Sequence, residues 1–315
     1  MTKTVRVLLT GSTGQLGHAL RRFSPAELNG QPVELIATSR SGQDGCLSLD
    51  LSDGQACQQC IEEVQPDWVI NAGAYTAVDK AETEVDEAVA INAGAPRSFA
   101  KALDRVGKGK LLQISTDFVF DGAQGVPYRT DQPCNPLGQY GITKAMGERA
   151  IQDALDPGRA VILRTSWVYG PVGRNFLLTM LKLHRQRAAA GEALAVVADQ
   201  IGCPTSTAGL AEACWTLLGR GQAGTVPGTL HWSDAGVASW YDFAVAIGEL
   251  GVLSGVLERA AEVRPIGTAD YPTPAQRPAY SLLDCASTRA ALGLQAPHWR
   301  SALMDVLRDG ALLSA

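Results

Sequence analysis

Thr4-Val5-Arg6-Val7-Leu8-Leu9-Thr10-Gly11-Ser12-Thr13-Gly14-Gln15-Leu16-Gly17 decides the fold. Its first seven residues form an apolar run of strand length, and a helical pattern follows through Leu20 and Phe23. Glycines spaced G-x-x-G-x-x-G between a strand and a helix let backbone approach a diphosphate and let the helix pack close to the strand. The helix N-terminus adds amide donors and the positive end of its dipole. A lone glycine triplet marks no more than a turn. With a strand before, a helix after and another strand beyond, it reads as a dinucleotide-binding turn. Gly11, Thr13, Gly14, Gln15, Leu16 and Gly17 are the first candidate cofactor residues.

Outward from this turn, a second strand over 33–38 ends in Ser39-Arg40, not in an acidic residue. An acid there would hold a ribose 2′-hydroxyl, whereas an arginine can pair with a 2′-phosphate, so Arg40 tilts the cofactor toward NADPH with NADH as the alternative. The competing reading of Arg40 is a solvated loop residue. A short third strand over 46–51 ends in Asp50-Leu51; Asp50 is placed either to accept from an adenine amino group or to cap the next helix. A fourth strand over 67–71 runs into Ala72-Gly73-Ala74-Tyr75, mostly small residues where a cofactor would pass the sheet edge. The stretch 78–101 is helical with a break near Gly94-Ala95-Pro96, and Asn92 within it is either solvated or holds a backbone or a water.

A fifth strand over 110–115 ends at Thr116. Ligands of open parallel sheets sit at the carboxyl ends of strands, so the Thr116 hydroxyl can meet a substrate oxygen, or else make a local turn bond. Residues 121–138 read as a loop over the site, and Asn135-Pro136 as a helix start. That helix carries Tyr140 and Lys144 one turn apart on one face. A phenol titrates near ~10, and a neighbouring ammonium should lower that value, making the pair a proton donor or acceptor at a carbonyl or alcohol. The bland alternative is an ordinary surface tyrosine and lysine. A sixth strand over 159–164 completes an alternation that implies an α/β, Rossmann-type doubly wound parallel sheet.

Beyond residue 165 the rhythm changes to helices over 176–187, 207–218, 239–250 and 301–307, a short strand over 229–232, and a proline-rich extended stretch over 263–283. Ser239 is the expected cap of the third of these helices, with Asp242 three residues on. The expected organisation is an NAD(P)-binding Rossmann domain over 1–165, completed by short later segments including about 226–250. A smaller, discontinuous substrate-binding domain over 166–315 closes on its carboxyl edge.

The 315 residues are 46% hydrophobic and 19% charged, which suits a chain with a sizeable core. A net charge of -5 with interspersed charges argues against nucleic acid as a partner. No apolar run reaches the ~18 residues of a membrane span, and no signal-peptide pattern opens the chain, so a cytoplasmic protein is expected. Cys57 and Cys60 form a C-x-x-C without a second pair or a histidine cluster, and no metal site is expected among the seven cysteines.

The glycine turn, the hydroxyl after the fifth strand and Tyr140-x-x-x-Lys144 together resemble the extended short-chain dehydrogenase/reductases. Within them, several runs resemble the dTDP-4-dehydrorhamnose reductase family. These are Asn71-Ala72-Gly73-Ala74-Tyr75-Thr76-Ala77-Val78-Asp79, Ser115-Thr116-Asp117-Phe118-Val119-Phe120-Asp121-Gly122, Arg164-Thr165-Ser166-Trp167-Val168-Tyr169-Gly170, Asp199-Gln200-Ile201-Gly202-Cys203-Pro204-Thr205 and Tyr271-Pro272-Thr273-Pro274-Ala275-Gln276-Arg277-Pro278. The resemblance implies a seven-stranded Rossmann sheet and reduction of a dTDP-4-keto-6-deoxy sugar by NAD(P)H to dTDP-L-rhamnose. It gives Tyr140 the proton transfer, Lys144 the nicotinamide ribose, Thr116 the carbonyl oxygen, and Asp117 and Trp167 positions against the sugar. Two features depart from the family. Position 118, commonly tyrosine, is phenylalanine, which bears on substrate choice. Some members hold magnesium at a dimer interface through glutamates, one on the first helix; that helix here carries His18-Ala19, so neither that metal nor that dimer is expected, and a monomer or another homodimer stays open. Competing readings are an epimerase or dehydratase of the same fold, or a non-catalytic regulatory subunit resembling the reductase.

Overall fold

The computed structural model describes residues 3–224 and 228–309. Positions 226–227 of the expected completing segment, and residues 1–2 and 310–315 at the ends of the expected units, lie outside them. The elements run β1 (Val5–Thr10), α1 (Gln15–Arg22), β2 (Glu27–Leu28), β3 (Gln31–Ser39), β4 (Leu47–Ser48), α2 (Gly54–Val64), β5 (Trp68–Asn71), α3 (Val85–Val89), α4 (Ala95–Val106), β6 (Lys110–Thr116), α5 (Gln139–Ala154) and β7 (Ala160–Thr165). They continue with β8 (Val168–Tyr169), α6 (Phe176–Ala190), β9 (Leu194–Val197), β10 (Ile201–Gly202), β11 (Thr205–Ser206), α7 (Thr207–Ala223), β12 (Thr229–Trp232), β13 (Ala238–Ser239), α8 (Trp240–Leu253), β14 (Val263–Ile266), α9 (Ala286–Leu292) and α10 (Trp299–Leu307).

The main sheet has the order β12-β7-β6-β5-β1-β3-β2, with β4 on β3. Seven of its strands are parallel, the number the family resemblance implies, and the two-residue β2 runs antiparallel at one edge. The chain leaves β1 toward β3 and returns to β5 on the other side, so the order reverses between β1 and β5. The crevice outside the carboxyl ends of the strands at such a switch point is where these sheets bind ligands.

Both faces are buried, as a parallel sheet requires. On one, Val7, Leu9 and Ile70 pack under Leu20 of α1 and Leu210, Cys214 and Leu217 of α7. On the other, Leu8, Val69 and Leu111 pack under Ile61 of α2, Phe99 and Leu103 of α4 and Ile151 of α5. A separate cluster is built from Leu177 and Leu181 of α6, Phe243 and Ile247 of α8 and Leu303 of α10.

Several local expectations change. The strand expected over 46–51 shortens to β4, because only Thr38 and Ser39 pair with it. The break near residue 94 is a π-helical turn over Ala90–Gly94 that keeps α3 and α4 continuous. Asn135 does not cap α5: the cap is Gly138, Glu82 accepts from the Gln139 amide at 2.9 Å, and Asn135 donates to Asp121 instead. A carboxylate from a distant turn has replaced the local cap. Ser239 caps α8 as expected, reciprocally with Asp242. The seven-residue α9 follows the proline-rich stretch, at a place where the sequence pattern predicts no helix.

Candidate active site

At the switch point the glycines are required by contact. Gly11 has φ +64°, and a Cβ there would lie 2.6 Å from Gly73 Cα, so the turns after β1 and β5 touch. A Cβ on Gly17 would lie 2.1 Å from the Gly11 carbonyl oxygen, which is the close helix–strand approach expected of the third glycine. Buried side chains tie the strand ends together. Thr10 donates to Asn71 Oδ1 and accepts from the Gly73 amide at 3.1 Å, and Asn71 donates to Gln113 at 2.7 Å.

These turns open into a cleft of roughly 790 Å3. It gathers Gly11, Thr13, Gly14, Gln15, Leu16, Gly17, Arg40, Leu51, Ala72, Gly73, Ala74, Thr116, Asp117, Tyr140, Lys144 and Trp167. Two candidates do not line it. Asp50 caps no helix; it accepts from the Ser52 amide and hydroxyl at 2.9 and 2.8 Å, which holds its carboxyl below the usual range, and Asp53 caps α2. Tyr75 is buried, with its phenol bonded to Glu84 and its backbone amide and carbonyl held by Asn92 at 2.9 and 3.1 Å. Asn92 is therefore not solvated: it fixes the turn after β5 and also donates to Thr143 of α5 at 3.1 Å.

Helix α5 lies directly against the end of β6. A Cβ on Gly141 would come within 2.2 Å of the Phe118 carbonyl oxygen, and one on Gly147 within 2.2 Å of that of Asn92. The close approach sinks Lys144 to 4% exposure, with Nζ donating to the Ile114 carbonyl at 2.7 Å. Burial lowers its pKa to about 8, against the attraction of Glu148. Tyr140 is half-buried, with Phe118 edge-on at 5.6 Å. Its phenol is pushed up to about 12 by desolvation and by the Asp117 charge, with hydrogen bonding to Thr116 opposing. The expected lowering of the phenol by Lys144 is thus overturned, because the ammonium is turned onto the strand carbonyl and the surrounding protein disfavours phenolate. Thr116 donates to Asp117 Oδ1 at 3.0 Å and accepts from the Phe118 amide at 3.2 Å. Asp117 is 1% exposed, its Oδ2 has no partner, and burial raises its pKa to about 6.

The opposite wall comes from the second half of the chain. Trp167 has φ +46°, unusual for a bulky residue, and stacks on Trp240 with centroids 3.5 Å apart and planes 7° apart. Gly202 packs so close that a Cβ there would lie 2.7 Å from the indole. Trp240 covers one face of Trp167, and Trp167 lines the cleft. Trp240 also lines the cleft and was missed; its helix cap was legible, but nothing local marked it as a cleft residue. Arg277 lines the cleft as well, pairing with Asp79 at 2.9 Å and leaving its buried Nε without a partner. Gln15 joins the two walls, donating to the Arg174 carbonyl at 3.0 Å and accepting from Asn175 at 2.9 Å.

The chain's residues fit a dinucleotide. The turn of Gly11, Gly14 and Gly17 presents backbone without side chains to the cleft, and Arg40, its side chain 68% exposed and 3.9 Å from Glu87, stands at the end of β3 with donors to spare. Among the described residues no group of three or more His, Cys, Asp or Glu is arranged to hold a metal ion, and no helix is long and apolar enough to cross a membrane.

Fold and site together define a Rossmann-fold oxidoreductase of the extended short-chain class. The chain belongs to the dTDP-4-dehydrorhamnose reductase family: the family model described as RmlD substrate binding domain matches residues 5–311. The dTDP-4-dehydrorhamnose reductase of Aggregatibacter actinomycetemcomitans is 39% identical over 96% of this chain and 98% of its own length. A probable dTDP-4,6-dihydroxy-2-methyloxan-3-one 4-ketoreductase of Streptomyces antibioticus is also 39% identical, over 97% and 95%. The crystal structure of the Bacillus anthracis dTDP-4-dehydrorhamnose reductase in complex with NADP superposes with a TM-score of 0.84 at 34% identity, covering 96% of this chain and 99% of that one.

Proposed function

We propose that this protein uses NADPH, with NADH as a poorer alternative, to reduce the 4-keto group of dTDP-6-deoxy-L-lyxo-4-hexulose to dTDP-L-rhamnose, the last step of dTDP-rhamnose biosynthesis. The observation that carries this reading is the convergence of Thr116, Tyr140 and Lys144 beside the glycine cradle, in a chain of this family along nearly its whole length. The cofactor unit would comprise residues 1–165 and, refining the expected completion, the later segments that pack on the main sheet, α7, β12 and α9; the remaining part of 166–315 would form the sugar wall.

Gly11 to Gly17 would hold the diphosphate, Arg40 the 2′-phosphate, and Lys144 the nicotinamide ribose. The bound nicotinamide supplies the hydride. Thr116 orients the carbonyl oxygen, and Tyr140 gives it a proton. A phenol at about 12 suits this task, since a sugar alkoxide is more basic still and the proton moves downhill. Asp117 and the indole pair of Trp167 and Trp240 would border the sugar, the carboxylate meeting hydroxyls and the rings meeting its apolar side.

The test is loss of reduced-cofactor absorbance on adding dTDP-6-deoxy-L-lyxo-4-hexulose, with NADPH and with NADH. Sugar-dependent oxidation, faster with NADPH, is the expected result; no oxidation with either cofactor would overturn the reading. Phe118, where the family commonly has tyrosine, and the ketoreductase relative of different substrate name favour a second reading, another dTDP-4-keto sugar. Faster turnover of a different sugar in the same assay would select it.

A further inference from the structure

Tyr140 and Lys144 share one face of α5, and the next turn of that face carries Glu148. Glu148 is 3% exposed and its carboxylate is fully engaged. The Ser115 hydroxyl donates to Oε1, and Arg164 of β7 donates to both oxygens, Nη2 to Oε2 at 2.7 Å and Nε to Oε1 at 3.0 Å. Arg164 is 4% exposed and lies over the Phe120 ring at 5.1 Å. Burying two such ions costs several kcal/mol each, and apolar residues of similar volume often stabilise equally well. Their neighbours suggest a use. Ser115 lies between Ile114, whose carbonyl accepts the Lys144 ammonium, and Thr116, which faces the phenol. One carboxylate therefore holds the strand end that serves both groups.

We propose that Glu148 and Arg164 are a positioning pair for the reaction, fixing the end of β6 beneath α5 and placing an anion one turn from Lys144. The proposal rests on the roles given above to Tyr140 and Lys144. The titratable and charged groups around the cluster are Tyr140 on the same helix, Asp117 beyond β6, Arg164 on β7, His231 on β12 and Cys134 before α5. His231, 3.4 Å from Arg164, is held neutral by burial and by that cation, its pKa lowered to about 4. The Cys134 thiol is raised to about 11 by burial. Asp117, titrating near 6, is already ionised where Lys144 titrates. Glu148 and Arg164 are the charged pair that contacts the end of β6 carrying Ile114 and Thr116.

The two halves of the pair act on Lys144 with opposite sign, which a merely structural role would not produce. Glu148→Gln keeps the volume and one acceptor oxygen but removes the anion, so Lys144 should titrate about one pH unit lower. Arg164→Met leaves the anion uncompensated, so Lys144 should titrate higher. The measurement is the pH titration of the Lys144 13Cε signal in protein without cofactor or sugar, assigned by its loss in Lys144→Arg. The alkaline limb of turnover should move in the same two directions. Glu148→Asp, which keeps the charge, should restore the titration, and Ser115→Ala should slow turnover without moving it. An unchanged Lys144 titration in folded Glu148→Gln, or a shift of the same sign in both single variants, would overturn the proposal. Because the titration needs neither ligand, a wild-type protein that fails to oxidise NADPH would sink the proposed function while leaving this test standing.

Discussion

The two walls of the cleft are held by different means. The wall proposed to hold the cofactor is backbone: the turns after β1 and β5 touch through Gly11 and Gly73, and Thr10, Asn71 and Gln113 lock the strand ends beneath them. The wall proposed to border the sugar is side chains from distant segments: Trp167 stacked on Trp240, and Arg277 anchored to Asp79. The first is a rigid floor that tolerates no added atom, while the second is an assembly whose members can be exchanged singly. This division teaches that cofactor binding should depend on the first wall and sugar affinity chiefly on the second, with Asp117 and Phe118 placed where the two meet.

The largest expected effect lies where the walls meet. Tyr140→Phe removes only the proton donor, so turnover should fall by about 10²–10⁴-fold with NADPH affinity, followed by fluorescence titration, nearly unchanged. Near-normal turnover would move the chemistry off this helix. Asp117 comes next, because its buried, half-unpartnered carboxyl costs stability. Its folded pKa of about 6 lies above the unfolded value of 3.8, so the folded state binds more protons in that window and stability falls as pH rises through it. Asp117→Asn should therefore raise stability at pH 7 by about 1–3 kcal/mol while impairing turnover, and the gain should vanish as pH falls toward 4. Denaturant melts at both pH values check this, and equal stability at pH 7 would contradict the cost.

Trp240→Ala sharpens the contrast between the walls. It should raise KM for the sugar about tenfold, worth ~1.4 kcal/mol, with little change in NADPH affinity. A matching loss of cofactor affinity would show that the walls are not separable. The smallest effect is expected at Arg40, which is exposed and weakly paired. Arg40→Ser should weaken NADPH by roughly 0.5–1 kcal/mol and leave NADH kinetics alone, read as the ratio of the two KM values.

The legible parts of the site were those confined to one strand, one turn and one helix. The glycine spacing, Thr116 at the end of β6 and the one-turn separation of Tyr140 from Lys144 are such local relations, and all of these residues line the cleft. Asn92 could be noticed in the sequence but not assigned, because its partners Tyr75 and Thr143 lie 17 and 51 residues away. Asn135 looked like a cap until Glu82 supplied the acceptor from another turn. Trp240 and Arg277 carry no local mark of their place in the cleft, and Glu148 reads as an ordinary helix residue until Arg164 is seen beside it.

The sequence by itself determined the alternation of strands and helices, the dinucleotide turn and the residues able to move a proton, because periodicity and short spacings act within a few residues of backbone. The tertiary structure alone decided which side chains meet, that Lys144 turns to Ile114, that the Tyr140 phenol is raised and not lowered, and that Trp167 shares its face with Trp240. Desolvation and contact depend on everything packed around a group, and most of that arrives from segments far away in the chain.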